Sequence, residues 1–463
     1  MQRFSAMVNC TILSPVIRKK IISNLKSSTE LPFGDVLTKE EINLKMQDLT
    51  FRERIFTPDV TLLAFLSQVM SDDQSQQAAV AKVIATLVAS GESPPSANTS
   101  AYSQARSRLP ESILASLATE TAAKLESSIP EKWLWKGRKI KLVDGSTISM
   151  PDTPENQAIY PQPATQKIGV GFPIARIVVL IDYITGAVMD LAIGQYSGKE
   201  TGEHALFRLL ISSINTDDIL LGDRYYPSFF LMATIMALGI EGVFPIHIAR
   251  KYDFNHGVSL GYKDHIVDWI KPTKPEWMQQ DEYDTFPQKI MVREVAAERH
   301  RNGFRSHTMV LVTTFVDSTI VTKTDLADLY DYRWFVEISL RDIKTTMHMD
   351  ILRGKTPDMV RKEIWAHLLA YNLIRKIMAQ AALIHGKSTK DLSFKLALQT
   401  IKAFQEKGIL NNNNQDALNK LLQVITNKKV GHREGRHEPR QVKRRPKAFP
   451  RLQESREFYK HAA

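Results

Sequence analysis

Lys139-Ile-Lys-Leu-Val-Asp-Gly-Ser-Thr-Ile-Ser-Met150 is where the chain changes its period. It combines alternation with a short apolar run of β-branched residues, as a strand does. Ala175–Ile184, Ala187–Gln195 and Asp218–Gly222 repeat that character, and Thr185–Gly186 supplies a tight turn between the first two of these. Glu200–Ile214 reads as a helix before the fourth strand and Pro227–Leu238 as a helix after it, with Gly242–Ile248 as a fifth strand.

Three meandering strands, a helix, a strand, a helix and a strand make an α/β layout, and that order fits a ribonuclease H-like core. Upstream, Asp59–Met70, Gln76–Ser90 and Glu111–Glu126 carry apolar residues at spacings of three and four, the mark of helices. Residues 1–135 therefore form a helical N-terminal domain, suited to DNA end binding, dimerisation or packing. Residues 136–249 and 306–390 form the catalytic core, in which Met309–Val316 is a strand and Thr324–Met349 and Met359–Ile384 are helices. Between the two halves, 250–305 is polar, carries Trp269 and Trp277, and reads as a β-rich insertion. Residues 391–463 supply a C-terminal helix and a tail.

Composition narrows the function classes. With 463 residues, 43% of them hydrophobic and 24% charged, the chain can bury a substantial core in more than one unit. A single cysteine, Cys10, excludes an intrachain disulfide and suits a reducing compartment. The start of the chain lacks the basic–apolar–small pattern of a signal peptide, and the longest apolar run, Phe229 to Ile240, is about half of what a bilayer requires. A cytoplasmic protein without a membrane partner is expected. The net charge is +11, and ten of the basic residues stand between Lys428 and Arg451 against only Glu434 and Glu438. That tail, with Lys443, Arg444 and Arg445 at its centre, is a footprint for polyanions and foremost for nucleic acid. The alternative is a solvated tail that aids solubility.

Asp144 lies inside the first apolar strand and Asp223 ends the fourth. A carboxylate there is costly unless paired, hydrogen-bonded or metal-bound, although such residues also cap helices and shape turns. The third carboxylate lies on the helix from Thr324. At about 100° per residue, Tyr330, Arg333, Glu337, Arg341, Lys344 and His348 share one polar stripe beside an apolar stripe of Leu329, Val336, Leu340 and Ile343. A salt-bridged surface would look similar; the order Tyr-x-x-Arg-x-x-x-Glu-x-x-x-x-x-x-Lys is more specific. Phosphodiester chemistry explains why acids and cations should converge. Two divalent ions on hard oxygen ligands activate a hydroxyl, stabilise the leaving oxygen and relieve phosphate charge. Asp144, Asp223 and Glu337 are the expected catalytic and metal residues for two Mg²⁺ ions, with Mn²⁺ able to substitute. Tyr330, Arg333, Lys344 and Arg341 are the expected phosphate binders. No P-loop, zinc spacing, nucleophile elbow or dinucleotide fingerprint is present, and His300, His307 and His348 lack the pairing of zinc ligands.

These residues carry a family resemblance. The order Tyr102-Ser-Gln-Ala-Arg-Ser-Arg-Leu-Pro, Val143-Asp-Gly-Ser-Thr, Asp152-Thr-Pro-Glu-Asn, Gly171-Phe-Pro-Ile-Ala-Arg, Gly222-Asp-Arg-Tyr-Tyr, Tyr332-Arg-Trp-Phe-Val-Glu, Leu340-Arg-Asp-Ile-Lys and Lys355-Thr-Pro-Asp-Met-Val resembles the DDE transposases of bacterial insertion sequences with a Tyr-Arg-Glu-Lys motif (the insertion sequence four family). The resemblance runs from roughly 101 to 451. It implies that Asp144, Asp223 and Glu337 form the catalytic triad and that Tyr330, Arg333, Glu337 and Lys344 form the motif. It also implies a homodimer that synapses inverted-repeat ends of a transposon, cuts them, and joins their 3′-hydroxyls to target DNA. Relatives that excise through a hairpin stack a flipped base on a tryptophan near the start of the strand before the catalytic helix. Here that strand reads Met309-Val-Leu-Val, which leaves Trp269 or Trp277 for the role. Two other readings stand beside transposition: a catalytically silent DNA-binding derivative, and a ribonuclease H-like endonuclease that cuts without joining.

Overall fold

The computed structural model describes residues 39–47, 55–89, 91–299, 307–407, 415–427 and 452–461. The basic tail, including Lys443, Arg444 and Arg445, lies outside the described residues. The chain divides into two compact units. One is helical and takes Met1–Lys124, Thr345–Met349 and Thr356–Val430; the other takes Leu125–Lys344, Asp350–Lys355 and Gly431–Ala463.

In the helical unit, Pro58–Met70 and Gln76–Ala89 pack through Val60, Leu63, Ala64, Ala79, Val80, Val83 and Leu87, with Tyr102 closing the cluster. The Tyr102 hydroxyl and the Arg106 guanidinium both donate to Gln68 Oε1, at 2.9 and 3.2 Å. Pro357–Ile384 is buried on nearly every side, as a helix without a continuous polar face must be. It belongs to this helical unit rather than to the sheet.

That helix carries a buried histidine with a defined tautomer. His367 Nδ1 donates to the Glu363 carbonyl at 2.9 Å, so Nε2 accepts from the Gln74 amide at 3.2 Å. Burial pulls its pKa from 6.5 to about 4. The folded chain holds this ring neutral, whereas the unfolded chain protonates it. Its contribution is therefore complete above pH 6.5 and lost as pH falls toward 4. Acidification across that window should cost roughly 3 kcal/mol. Denaturant midpoints should fall in the native chain and fall less in His367→Gln; parallel curves would refute the assignment.

The second unit is built on one mixed sheet of nine strands in the order β3-β2-β1-β4-β5-β9-β8-β7-β6. The strands are β1 (Ile140–Ser149), β2 (Ile174–Asp182), β3 (Val188–Gln195), β4 (Ile219–Leu221), β5 (Glu241–Pro245), β6 (Val258–Gly261), β7 (Asp264–Ile270), β8 (Lys289–Arg299) and β9 (His307–Thr313). The helices that matter to the site are α1 (Glu203–Arg208), α2 (Phe229–Ala237), α3 (Lys323–Asp331) and α4 (Trp334–Arg341). The five strands expected from the sequence all form, and the architecture is mixed α/β.

Strands β1, β2 and β3 form an antiparallel meander, and β4 and β5 lie parallel beyond β1. At the β2–β3 turn, Asp182 accepts from the Thr185 backbone and hydroxyl at 2.7 and 2.6 Å. Gly186 then takes φ of 73°, a conformation that favours glycine. Residues 250–299 do contribute strands, but these do not make a sheet of their own. β8, β7 and β6 continue the core sheet through β9, which pairs antiparallel with β5. Among the described helices, none is long and apolar enough to cross a membrane.

Two buried cations anchor this sheet. Lys141 on β1 is fully buried and paired with Glu126; Asp218 and Asp182 lie at 3.8 and 4.0 Å. Farther along, Arg293 on β8 forks onto both oxygens of Asp264 on β7, at 2.8 and 2.6 Å, and donates to the Val321 carbonyl at 2.6 Å. Such bidentate, saturated geometry is what allows a guanidinium to be buried.

Candidate active site

Parallel pairing of β1 and β4 sets two carboxylates side by side. The last pair in register is Leu142 with Leu221. Asp144 and Asp223 each follow two residues later, and a two-residue step returns a strand side chain to the same face. They interact through space: burial pushes the Asp144 pKa up to about 6, against the pull of Arg333 and the Gly145 amide, and the charges of Asp223 and Glu203 push it further. The Gly145 amide donates to Asp144 Oδ1 at 2.9 Å. Asp223 accepts from the Tyr225 amide at 2.8 Å, which fixes the loop after β4.

The helical part differs from the continuous helix expected over Thr324–Met349. α3 is nucleated by a capping box in which Thr322 and Asp325 satisfy each other's backbone amides. Between α3 and α4 the winding tightens, with Tyr332, Arg333, Phe335 and Val336 each donating three residues back. After α4 it loosens into a π-turn over Asp342–Thr346. π-turns inside helices occur disproportionately at functional sites. Tyr183 at the end of β2 stacks on Tyr332 at 4.4 Å and meets Phe335 edge-on, which fixes α4 against the sheet.

Arg333 is the hub of the site. Its guanidinium pairs with Glu337 one turn along and reaches Asp144 at 3.8 Å, so both carboxylates share one cation. Burial works against the Arg333 charge, but Tyr330, Glu337 and Asp144 outweigh it and raise its pKa. Tyr330 itself is buried. Lys344 donates to the Ser146 hydroxyl at 2.9 Å, two residues beyond Asp144, and burial lowers its pKa. Arg341 stands apart: it is exposed and its nearest acid is Asp342 at 4.0 Å. Thus Arg333 links Asp144 on β1 to Glu337 on α4, Asp223 acts on Asp144 from the end of β4, Lys344 reaches Ser146 from the π-turn, and Arg341 is left outside.

Sequence reasoning missed Glu203, whose carboxyl packs against Gly145, and Tyr226, whose buried hydroxyl has no partner among the described residues. Burial and the charge of Asp223 raise the Glu203 pKa. Tyr226 closes the Gly222-Asp-Arg-Tyr-Tyr segment without being marked there as a site residue, and Glu203 sits in no recognisable spacing; the fold of α1 onto β1 reveals it. Trp269 provides no open stacking face: it is buried, bonded to Glu294 at 2.9 Å and covered by Arg250 at 3.6 Å. Trp277 is 37% exposed, with Arg208 over its ring at 4.0 Å.

Among the described residues, no group of three or more His, Cys, Asp or Glu side chains is drawn together as a ready metal-ligand set. Arg333 occupies the charge-neutralising position between Asp144 and Glu337 instead. The donor chemistry nonetheless fits a hard divalent cation: several half-buried carboxylates repel one another, and a phenolic oxygen is buried without a partner among the described residues.

Comparison with known proteins points to one family. Residues 135–373 match the model of the transposase DDE domain. The transposase InsG of insertion sequence element IS4 from Escherichia coli K-12 is 27% identical over 358 residues, covering 76% of this chain and 78% of that protein. The transposase of insertion sequence element IS421 from Escherichia coli is 30% identical over 101 residues, 20% of this chain and 27% of that one. A solved piggyBac transposase synaptic complex with hairpin DNA aligns over 89% of this chain and 86% of that chain, at 9% identity and a TM-score of 0.39.

Proposed function

Since the chain belongs to the transposase DDE domain family and is a DNA transposase of the insertion sequence four kind, we propose that it cuts transposon ends and joins their 3′-hydroxyls to target DNA at Asp144, Asp223 and Glu337. The observation that supports this reading is that one Asp on β1 and one Asp after the neighbouring parallel strand β4 stand in matching positions, with a Glu tied to the first through Arg333. The sheet order, an antiparallel meander flanked by parallel β4 and β5, supports a ribonuclease H-like core.

DDE transposase domains generally use divalent metals, and in our reading Asp144, Asp223 and Glu337 hold two Mg²⁺ or Mn²⁺ ions. The chemistry that such ions supply when bound is activation of the attacking hydroxyl and relief of charge at the phosphate and leaving oxygen. The chain's own groups do the rest. Arg333, released from its carboxylates when the site is loaded, turns its fork to a backbone phosphate. Lys344 holds a neighbouring phosphate as a point charge, and Tyr330 supports the arginine. The N-terminal helices are proposed to bind the inverted repeats and to pair two copies of the chain in the synaptic complex. The basic tail is proposed to bind phosphates.

The test is incubation of the purified chain with labelled terminal repeats, with and without Mg²⁺. Metal-dependent nicks at the transposon ends and joined products on a target plasmid are expected. Cleaved ends that never join would favour an endonuclease, and no cleavage in Mg²⁺ or Mn²⁺ would refute the reading.

A further inference from the structure

We propose that Glu203 on α1 is a fourth carboxylate of this centre, a ligand for the divalent cation on the Asp144–Asp223 side. The inference rests on the two-ion reading above. Its first support is contact. The Glu203 side chain lies directly on the Cα of Gly145, the residue after Asp144, so that a methyl group built there would collide with the carboxyl and stand 2.7 Å from Cγ. The absence of a side chain at 145 is what admits Glu203 to the site.

Its second support is how α1 is held. Leu206 seats against Gly194 of β3, whose added methyl would come within 2.8 Å of Cδ2. Phe207 meets the Tyr226 ring edge-on at 5.5 Å, and His204 Nε2 is bonded to the Tyr225 carbonyl. Residues 203, 206 and 207 share one helical face, so the buried pair at 206 and 207 aims Glu203 at β1.

Its third support is a polar atom that lacks a partner. The Tyr226 ring is wedged against Gly222 and is 1% exposed, and its hydroxyl is bonded to nothing among the described residues. The charges of Glu203, Asp144 and Asp223 all act on that hydroxyl. Three acids and a desolvated phenol that feel one another bring together an excess of electron-rich oxygen, which a bound cation would resolve. Arg176, the cation that acts on Glu203, is on β2 and donates to the Thr201 carbonyl at 3.1 Å.

The test measures Mn²⁺ uptake by the full chain, without DNA, from the loss of the free-ion electron spin resonance signal. Glu203→Gln should raise the Mn²⁺ Kd about ten-fold or more. Gly145→Ala, which keeps every carboxylate but pushes Glu203 aside, should raise it comparably; thermal melts verify that each variant folds. If Glu203→Gln does not fold, Gly145→Ala decides the matter by the same measure. Unchanged Mn²⁺ affinity in these variants, with affinity lost in Asp223→Asn, would overturn the role of Glu203 and leave the metal centre standing. Mn²⁺ uptake indifferent to Asp144→Asn and Asp223→Asn would overturn the two-ion reading and this inference together.

Discussion

Asp144→Asn should slow cleavage of transposon ends ~10³-fold or more, since several kcal/mol of charge stabilisation would depend on this proposed metal-holding acid. DNA binding should stay within a few-fold, because the phosphate contacts proposed for Arg333 and Lys344 are retained. Stability should hold or rise. Burial and the nearby charges of Asp223 and Glu203 push the native carboxyl up to about 6, so a neutral isostere removes a strained charge. End cleavage, gel-shift affinity and melting temperature report the three quantities. A cleavage rate within ten-fold of the native chain, or a parallel collapse of DNA binding, would count against the assignment.

Lys141→Ala is the opposite case, a change that should leave the chemistry groups in place and unfold their support. The ammonium is fully buried against Glu126, with Asp218 and Asp182 within 4.0 Å. Removing it leaves those acids buried together without a cation, which should cost roughly 3–5 kcal/mol. The denaturant midpoint of the transition should fall accordingly. The cost should shrink on mild acidification, because protonation then relieves the stranded carboxylates. A cost independent of pH would mean that lost packing, not lost charge, is what the lysine supplies.

The strands of the core were legible because each carries its own pattern: Ala175–Ile184 and Ala187–Gln195 have a turn residue pair between them that the structure uses at Gly186. Asp144 and Asp223 also stand out in the sequence, since an acid in or at the end of an apolar strand conflicts with its surroundings whatever the topology. Three things were not. The continuation of the core sheet into residues 250–299 depends on β9 pairing with β5, a contact that local pattern does not encode. The π-turn at Asp342–Thr346 is a local departure from the 3.6-residue period on which the helical reading relies. Nothing in the sequence marks Glu203, because Gly145 is close to it only after α1 folds onto β1.

The shared sheet also has a mechanical side. β6, β7 and β8 reach the catalytic strands through β9, and β9 meets β5 over three residue pairs, Val243 with Thr313, Phe244 with Val312 and Pro245 with Leu311. That short seam is a fulcrum. Torque exerted on the far hairpin by a bound duplex would pass across it to β5, and from there to β4, the strand whose end presents Asp223.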